Sequence, residues 1–348
     1  MATIKEVSRL AQVSVATVSR VANGNKWVAE ETQARVRAAM AELGYTPNTN
    51  ARALATNKSD IIGMVVGDLG GPFFGDLMHQ VEQEVRRLGK HLIVTSGHGN
   101  WDDENDAVEF LLQRQVDALI LHVDSLSDEE LYALTQRTET PIVLVNRFVP
   151  ELAAQCVHVN NELGGRLITQ HLISQGHRDI ACITGPLYKA DSRARLQGYR
   201  QALEAADIEF RQELVVEGDY TEPGGSLAME RLFRRELSIS AVVCGNDLMA
   251  YGAIRLAKSH QLSVPRDLSV AGYDNIVMSA YVEPGLTTMH VPIGKMGLQA
   301  GQLAVALAAK RTLDVQHEFD PQLVIRESVV PCTQKFGVVA DEATKRKA

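Results

Sequence analysis

Apolar residues recur every three or four positions in the first 45 residues, which is the spacing of short amphipathic helices. The pattern predicts three helices at about 4–11, 15–22 and 30–43. Their inward-facing residues are Ile4, Val7, Leu10 and Ala11 in the first helix, Val18 and Val21 in the second, and Val36, Met40 and Leu43 in the third. Helices this short need each other's apolar faces, so the pattern indicates a small three-helix head.

Polar residues mark the ends of these helices. Thr3 with Glu6 forms a capping box, Ser14 can cap the second helix, and Gly44 suits the position after the third. Two short helices joined by a three-residue turn and closed by a third form a helix-turn-helix DNA-binding unit. The second helix leaves small or polar residues on its outer side, namely Val15, Ala16, Thr17, Ser19 and Arg20.

From Ile61 the pattern changes to short apolar runs separated by helical stretches. The runs lie at 61–67, 91–97, 118–123, 141–146, 179–185, 241–246 and 268–274. Continuous apolar strands that alternate with helices predict parallel sheets covered on both faces. About ten such units exceed one ordinary sheet, so we expect an α/β body of two doubly wound lobes. The chain should cross between the lobes near Asn160, His290 and Pro321.

Charge distinguishes the head from the body. Residues 1–58 hold eight Lys and Arg but four Asp and Glu, whereas the whole chain of 348 residues has a net charge of −8. A basic head on an acidic body suggests a module that binds a polyanion. A chance fluctuation of a few charges would give the same numbers, so charge alone leaves both interpretations open.

Several classes of protein are disfavoured. No apolar run reaches 18 residues, and the start "MATIKEVSRLAQ" lacks the apolar region of a signal peptide, so we expect a cytoplasmic, nucleoid-associated protein without a membrane span. The four cysteines are far apart and are expected to be reduced. No P-loop, GxSxG, HExxH or GxGxxG motif is present, so we expect no enzyme, no cofactor and no metal.

The stretch "TIKEVSRLAQVSVATVSRVANG" resembles the N-terminus of the lactose/galactose repressor family of bacterial transcription regulators. The resemblance implies that Val15 and Ala16 discriminate bases in the major groove, where Arg20 can bind a guanine edge. Thr17, Ser19 and Asn23 suit phosphate or sugar contacts, and Thr3 and Ser14 complete the DNA-binding set of the head. Gln12 stands where the family usually has Gly in the turn.

The segment "YTPNTNARALATNKS", residues 45–59, matches the hinge helix of the same family. Alone, so short a helix is marginal in water, and a flexible linker is the simpler alternative. The resemblance implies that the segment folds on the operator and pairs with its two-fold mate, with Leu54 inserted in the minor groove and Arg52 on a phosphate. Asn48 and Ala51 belong to the same proposed contact surface. We therefore expect a disorder-to-order transition coupled to DNA.

Ligands of doubly wound sheets bind beyond the carboxyl ends of the strands, which here is the cleft between the lobes. The strand ends supply Phe73, Phe74, Asn146, Asn160, Asp191, Arg195, Asn246 and Asp274. Carboxylates, amides and a guanidinium around an aromatic ring suit a neutral polyhydroxylated ring such as a sugar. Asp247 is expected to be a helix N-cap, and Arg195 could instead pair with an acid.

The body resembles the type I periplasmic sugar-binding fold of the same repressors, which implies ligand contacts at Phe74, Asp191, Arg195, Asn246 and Asp274. Asn160 departs from the Asp common in that motif, which leaves its role open. "GDLGGPFFG", "TPNTNARALA" and "IVLVNR" are most similar to the galactose repressor and isorepressor branch, which suggests galactose or a related glycoside.

These observations predict a homodimeric, sugar-responsive repressor that leaves its palindromic double-stranded operator when the sugar binds. The expected domains are the head at 1–46, the hinge at 47–59, the body at 60–330 and a tail at 331–348 that lacks a leucine heptad. Two alternatives remain: a corepressor-dependent regulator, and a sugar-binding or transport module that never touches DNA. A glycosidase could use Asp191 and Asp274 as facing acids, but the head would then be unexplained.

Overall fold

The computed structural model describes residues 2–22, 27–45 and 58–333. The chain divides into two compact units, Met1–Ser59 and Asp60–Ala348, which we call the head and the body. Five residues of the predicted DNA-binding set lie outside the described ranges, namely Asn23, Asn48, Ala51, Arg52 and Leu54. Most of the predicted hinge and the end of the tail lie outside them as well.

The head has the three predicted helices, α1 (Ile4–Leu10), α2 (Val15–Ala22) and α3 (Glu30–Glu42). The predicted caps are present: Thr3 and Glu6 form the capping box, and Ser14 Oγ accepts from Thr17 N at 3.1 Å. The core contains six buried apolar residues, which are Val7, Ala11, Val18, Val21, Val36 and Ala39. So few residues stabilise the head only modestly.

Two details of the head differ from the helical pattern. Leu10, predicted to face inward, is 43% exposed, because Val7 and Ala11 already fill the narrow stripe of α1 that meets the other helices. Gln12 takes the left-handed backbone conformation, with φ of 53°, in the turn between α1 and α2. This conformation explains why Gly is favoured at that position and why Gln is strained there.

The body contains two sheets, as predicted, and each has six strands. The first has the order β11-β5-β4-β3-β1-β2 and the second the order β12-β10-β9-β8-β6-β7. The strands are β1 (Ile61–Val66), β2 (His91–Ser96), β3 (Ala118–Leu121), β4 (Ile142–Val145), β5 (Cys156–Val159), β6 (Ile180–Thr184), β7 (Val215–Glu217), β8 (Ala241–Cys244), β9 (Ser269–Asp274), β10 (Thr287–His290), β11 (Glu318–Phe319) and β12 (Gln322–Val324). All pairs are parallel except β10 with β12.

Helices cover both sheets. They are α4 (Pro72–Arg87), α5 (Trp101–Gln113), α6 (Asp128–Arg137), α7 (Asn161–Ser174), α8 (Ala190–Glu204), α9 (Glu222–Phe233), α10 (Asp247–Ser259) and α11 (Ile293–Ala308). We call the first sheet with α4, α5, α6 and α11 lobe 1, and the second with α7, α8, α9 and α10 lobe 2. These are the two doubly wound lobes that the sequence predicts.

The three predicted crossings between the lobes are confirmed. The chain leaves β5 for α7 at residue 160 and leaves β10 for α11 after His290. It crosses for the third time at 320–321, because β11 pairs with β5 in lobe 1 and β12 pairs with β10 in lobe 2. Because only these three chain segments are described as connecting the two sheets, the lobes can move against each other without breaking either core.

Candidate functional site

The outer side of α2 is open to solvent. Val15 is 41% exposed, Ala16 and Arg20 are also exposed, and Val18 and Val21 fill the core on the other side. Thr17 is half-buried, and its hydroxyl lies 2.9 Å from that of Ser14. Val15, Ala16 and Arg20 are therefore open to solvent, whereas Ser14 and Thr17 pair with each other at the start of the helix.

Thr3 and Ser19 have other surroundings. Thr3 is exposed, and its backbone N–H and hydroxyl both donate to Glu6, at 2.7 and 2.9 Å. This bond lowers the pKa of Glu6, so the capping box stays ionised and keeps the start of α1 ordered. Ser19 is half-buried on α2. The structure thus gives Thr3 a helix-capping role beside any contact with DNA.

The body has a cavity of about 380 Å³ between the lobes, at the carboxyl ends of the strands. It brings together seven of the eight predicted residues, which are Phe73, Phe74, Asn146, Asp191, Arg195, Asn246 and Asp274. Asn160 is the exception, and its predicted place in the cleft is wrong. Its side chain caps α7 by accepting from Leu163 N at 3.0 Å, in a separate surface depression. The next residue, Asn161, points towards Arg195 instead.

Lobe 1 contributes an aromatic corner to the cavity. The Phe74 ring meets those of Phe73 and His122 edge-on, at centroid distances of 5.4 and 4.9 Å. Asn146, in the left-handed conformation with φ of 60°, lies beside them, and its amide nitrogen is 3.5 Å from His122 Nε2. Among the described residues, His122 Nδ1 and Asn146 Oδ1 are buried without a hydrogen-bond partner. These two atoms are therefore available to a ligand.

Lobe 2 contributes a buried charge cluster centred on Arg195, which is 8% exposed. Its guanidinium donates to Asn161 Oδ1 at 2.9 Å and lies 3.4 Å from Asp191 and 3.7 Å from Asp274. The guanidinium also stacks 3.9 Å from the centre of the Tyr273 ring. These contacts fix its orientation, so it presents a rigid set of donors to the cavity.

Helix packing sets the position of Arg195. A Cβ atom on Gly165 of α7 would lie 2.1 Å from the carbonyl oxygen of Arg195, and one on Gly198 would lie 2.0 Å from the carbonyl oxygen of Glu162. These glycines let α7 and α8 approach until their backbones touch. The close approach places Asn161, at the start of α7, within hydrogen-bond distance of Arg195.

The two carboxylates beside Arg195 differ. Asp191 accepts from Ser192 N at 2.8 Å and from the Tyr220 hydroxyl at 2.9 Å, so both of its oxygens are engaged. Asp274 has φ of 100°, and its Oδ1 has no hydrogen-bond partner among the described residues. Burial raises the pKa of Asp274 to about 8, although Arg195 opposes this shift. Asp274 is therefore the acceptor on this wall that is left for a ligand.

Asn246, and not Asp247, caps the helix that follows β8. Asn246 is the N-cap of α10, since its Oδ1 accepts from Met249 N at 2.9 Å, and its Nδ2 donates to Tyr220 O. Asp247 is completely buried and accepts from Ile276 N, Ser279 and Thr288. Burial raises its pKa to about 6. The prediction that Asp247 caps the helix is thus wrong; it joins the loops behind the cavity.

Sequence reasoning missed several residues of the cavity wall, namely Asp68, His122, Asp124, Tyr188, Lys189, Asp219 and Tyr220. His122 directly follows β3 and Asp124 lies two residues further on, so the rule of strand carboxyl ends could have found them. Tyr220 and Lys189 lie in loops whose course only the fold determines. In the described ranges no group of three or more His, Cys, Asp or Glu could hold a metal, no helix could cross a membrane, and Cys156, Cys182 and Cys244 form no disulfide.

Comparison with known proteins agrees with this geometry. A model described as "Bacterial regulatory proteins, lacI family" matches residues 3–48, and one described as "Periplasmic binding protein-like domain" matches residues 169–329. The chain is 42% identical over 330 residues to the HTH-type transcriptional regulator GalR of Salmonella typhimurium (strain SL1344), across 94% of this chain and 96% of GalR. It is 38% identical over 337 residues to the repressor PurR of Aliivibrio fischeri (strain MJ11), across 95% and 99% of the two chains.

Solved structures give the same result. The lac repressor dimer bound to operator and the anti-inducer ONPF superposes with a TM-score of 0.84 at 28% identity, over 94% of this chain and 99% of that one. The regulator CelR in complex with cellobiose gives a TM-score of 0.70 at 32% identity, over 94% and 100%. The predicted family, fold class and non-enzymatic function are confirmed: the chain belongs to the lacI family of bacterial regulatory proteins and is a DNA-binding transcriptional repressor with an effector-binding domain.

Proposed function

We propose that this repressor binds a small uncharged sugar, galactose or a related glycoside, in the cavity between its lobes. The observation that carries the proposal is the rigid Arg195 cluster of lobe 2. It faces the aromatic corner of lobe 1 across a cavity with a volume of about 380 Å³. A sugar has a ring of hydroxyl groups and an apolar C–H face, and the two walls match these two features.

The hydrogen-bonding capacity of the walls supports a hydroxyl-rich ligand. Asp274 Oδ1 and Asn146 Oδ1 are unsatisfied acceptors, and His122 Nδ1 can donate or accept. Sugar hydroxyls both donate and accept, so one ring can satisfy all three atoms. The Phe74 ring borders the same space, where the C–H face of the sugar would pack. A related regulator structure holds cellobiose, which agrees with a sugar of this class.

Charge argues against an anionic sugar. Six aspartates line the cavity, namely Asp68, Asp124, Asp191, Asp219, Asp247 and Asp274, and its cations are Lys189 and Arg195. Burial raises the pKa of Asp274 to about 8, so this carboxyl is protonated near neutral pH, but the other aspartates still outnumber the two cations. Both cations already face carboxylates, at 2.8 Å for Lys189 with Asp124 and 3.4 Å for Arg195 with Asp191. A phosphorylated or acidic sugar would have to compete with these partners and would meet a net negative wall.

On the DNA side we propose that Val15 and Ala16 contact bases, Arg20 binds a guanine edge, and Thr3, Ser14, Thr17, Ser19 and Asn23 support the backbone. The exposure of α2 supports this part. The proposed hinge at 47–59, with Asn48, Ala51, Arg52 and Leu54, would fold on a palindromic operator and respond to the effector.

A homodimer would present two heads to such an operator. Lobe 2 exposes apolar side chains at Leu227, Val277, Met278 and Tyr281, with exposed fractions between 55% and 77%. The Tyr251 hydroxyl of α10 lies 2.7 Å from Ser279, which holds the turn of these residues against that helix. A second copy that packs against the turn of Val277, Met278 and Tyr281 would cover these apolar side chains, and the related lac repressor structure is a dimer.

The experiment is an anisotropy titration of full-length protein on a palindromic duplex selected from a random pool. D-galactose, methyl β-galactoside, cellobiose, galactose 1-phosphate and hypoxanthine are added in turn. We expect D-galactose to weaken operator binding by about 10- to 100-fold, which is the usual size of an allosteric coupling.

The matched variants are Asp274→Asn and Asn160→Ala. The first should bind the operator without responding to galactose, and the second should respond like wild type because Asn160 caps α7 outside the cavity. A response only to galactose 1-phosphate would contradict the uncharged-sugar proposal. Tighter operator binding with any compound would identify a corepressor instead of an inducer.

A further inference from the structure

Two hydrogen bonds among the described residues join the lobes directly across the cleft. Lys189 Nζ, just before α8 of lobe 2, lies 2.8 Å from Asp124 Oδ2, which follows β3 of lobe 1. The Tyr188 hydroxyl of lobe 2 donates to Gly99 O of lobe 1 at 3.1 Å. We call these four residues the interlobe contact. They lie side by side on each lobe, so one movement of the lobes would make or break both bonds.

The ion pair of the interlobe contact is shielded from water. The side chains of Lys189 and Asp124 are 17% and 15% exposed, and the ammonium lies 5.6 Å from the centre of the Tyr220 ring. Burial opposes the charge of Lys189, but Asp124 outweighs it and raises the lysine pKa overall. Burial likewise opposes the charge of Asp124, while His122 and Lys189 lower its pKa. Both partners stay charged, and their attraction is screened less than that of a surface pair.

A buried carboxylate fixes the segment that carries Asp124. Glu104 of α5 is 1% exposed and accepts the backbone N–H groups of Asp124, Ser125 and Leu126, at 2.8, 2.9 and 3.0 Å. A Cβ atom on Gly97 would lie 2.6 Å from Glu104 Cγ, so the glycine makes room for this side chain. Three donors on one carboxylate hold the loop after β3 in a single conformation.

The same support reaches the second bond. Gly99 O accepts from Ser125 Oγ at 2.9 Å within lobe 1 and from Tyr188 across the cleft. Glu104 binds Ser125 N, so both acceptors on lobe 1 depend on the one segment that Glu104 orders. The acceptors for Lys189 and Tyr188 are therefore rigid before the lobes meet.

We infer that the protein closes its cleft with a contact of its own, in which Lys189 pairs with Asp124 and Glu104 is the positioning residue. The effector then binds lobes that already favour the closed arrangement, and its affinity includes the contribution of the pair. Only this consequence rests on the proposed function; the contact itself concerns protein atoms alone. The network also assigns a function to Glu104, which touches neither the cavity nor lobe 2.

A double-mutant cycle without ligand tests the contact. Thermal unfolding of the full-length protein is measured for Lys189→Met, Asp124→Asn and the double variant. Each single variant should lower the Tm of the body by at least about 4 °C, and the double variant should lower it no further than the worse single one. Additive losses, or single variants that melt like wild type, would overturn the inference, because the two side chains would then not be paired in solution.

The control cycle combines Asp124→Asn with Lys90→Met. Lys90 pairs with Asp60 and Asp117 inside lobe 1, at 2.8 Å from each, so its loss should add to that of Asp124. Glu104→Gln tests the positioning role. In that background the coupling between Lys189 and Asp124 should shrink to less than half, whereas a merely structural role for Glu104 would lower every Tm equally and leave the coupling unchanged.

Calorimetry with D-galactose tests the consequence. Lys189→Met should weaken binding by about tenfold while operator binding without sugar remains. Glu104→Gln should weaken it in the same direction, and because Glu104 does not line the cavity as Lys189 does, its effect cannot come from a lost contact with the sugar. Wild-type protein that binds no galactose would contradict the proposed function, but the ligand-free cycle would still decide the contact. Unchanged galactose affinity in Lys189→Met, with a coupled cycle, would overturn the link between closure and affinity.

Discussion

The head and the body use opposite arrangements of functional side chains. In the head the proposed base contacts Val15, Ala16 and Arg20 are exposed, as Val15 shows at 41%, and six small apolar residues form the core beneath them. In the body the proposed effector contacts are buried, as Arg195 shows at 8%, and they hold each other by ion pairs and hydrogen bonds.

In the head, therefore, the residues that bind DNA are not the residues that stabilise the fold. In the body the same residues do both. An exposed side chain on α2 can change without disturbing packing, so DNA preference can vary while the fold is kept. A buried charge cannot change alone, because its partners lose their compensation. We therefore expect substitutions that change effector specificity to lower the stability of the fold, and substitutions that change operator specificity to leave it nearly unchanged.

Arg195→Met should have the largest effect. It leaves the buried carboxylate of Asp191 without its cation, so the body should lose about 3–5 kcal/mol of unfolding free energy together with its response to sugar. Urea unfolding and the operator titration measure the two losses. Arg193→Met is the neighbouring control, because the side chain of Arg193 is exposed and donates to the backbone carbonyls of Leu187 and Tyr188 instead of pairing with a buried carboxylate. Wild-type stability in Arg195→Met would contradict the buried cluster.

Arg20→Ala, unlike Arg195→Met, should impair binding without destabilising the fold. We expect about 1–3 kcal/mol loss of operator binding with unfolding changed by less than about 0.5 kcal/mol. Binding to operator and to random duplex is compared at one salt concentration. A base contact weakens only the operator complex, whereas equal weakening of both would show that Arg20 contacts phosphate.

The pKa of Asp274, raised to about 8 by burial, predicts a pH effect on stability. The folded state keeps a proton that the unfolded carboxyl releases near pH 4, so this stabilisation is lost as pH rises towards 8. Between pH 6 and 7 wild type should lose about 1 kcal/mol more than Asp274→Asn in urea unfolding. Parallel pH curves for the two proteins would show that Arg195 keeps Asp274 ionised in the fold.

Gln12→Gly should have the smallest effect and should stabilise the head. Glycine relieves the left-handed backbone of the turn but has more freedom when unfolded, which leaves a net gain of about 0.5 kcal/mol. Calorimetry of the full chain should show the gain in the transition of the head. Gln115→Gly, at φ of 54° in the body, should move the other transition. A loss of head stability would mean that Gln12 makes contacts that outweigh its strain.

Local signals in the sequence determined the helices of the head and the three crossings of the body. Capping and helical spacing act within four residues, as Thr3 and Glu6 show, and buried strands carry their own apolar runs. The strand-end rule likewise found Phe74, Arg195 and Asp274, because parallel strands bring their carboxyl ends together.

Only the tertiary structure decided which polar side chains face the cavity. Asn160 turned away and Asn161 turned in, because the side chains of neighbouring residues at a helix start point in different directions. The partners Asp124 and Lys189 are 65 residues apart and belong to different lobes. Such a contact depends on how two independently folded sheets are brought together, and no local pattern of residues encodes that distance.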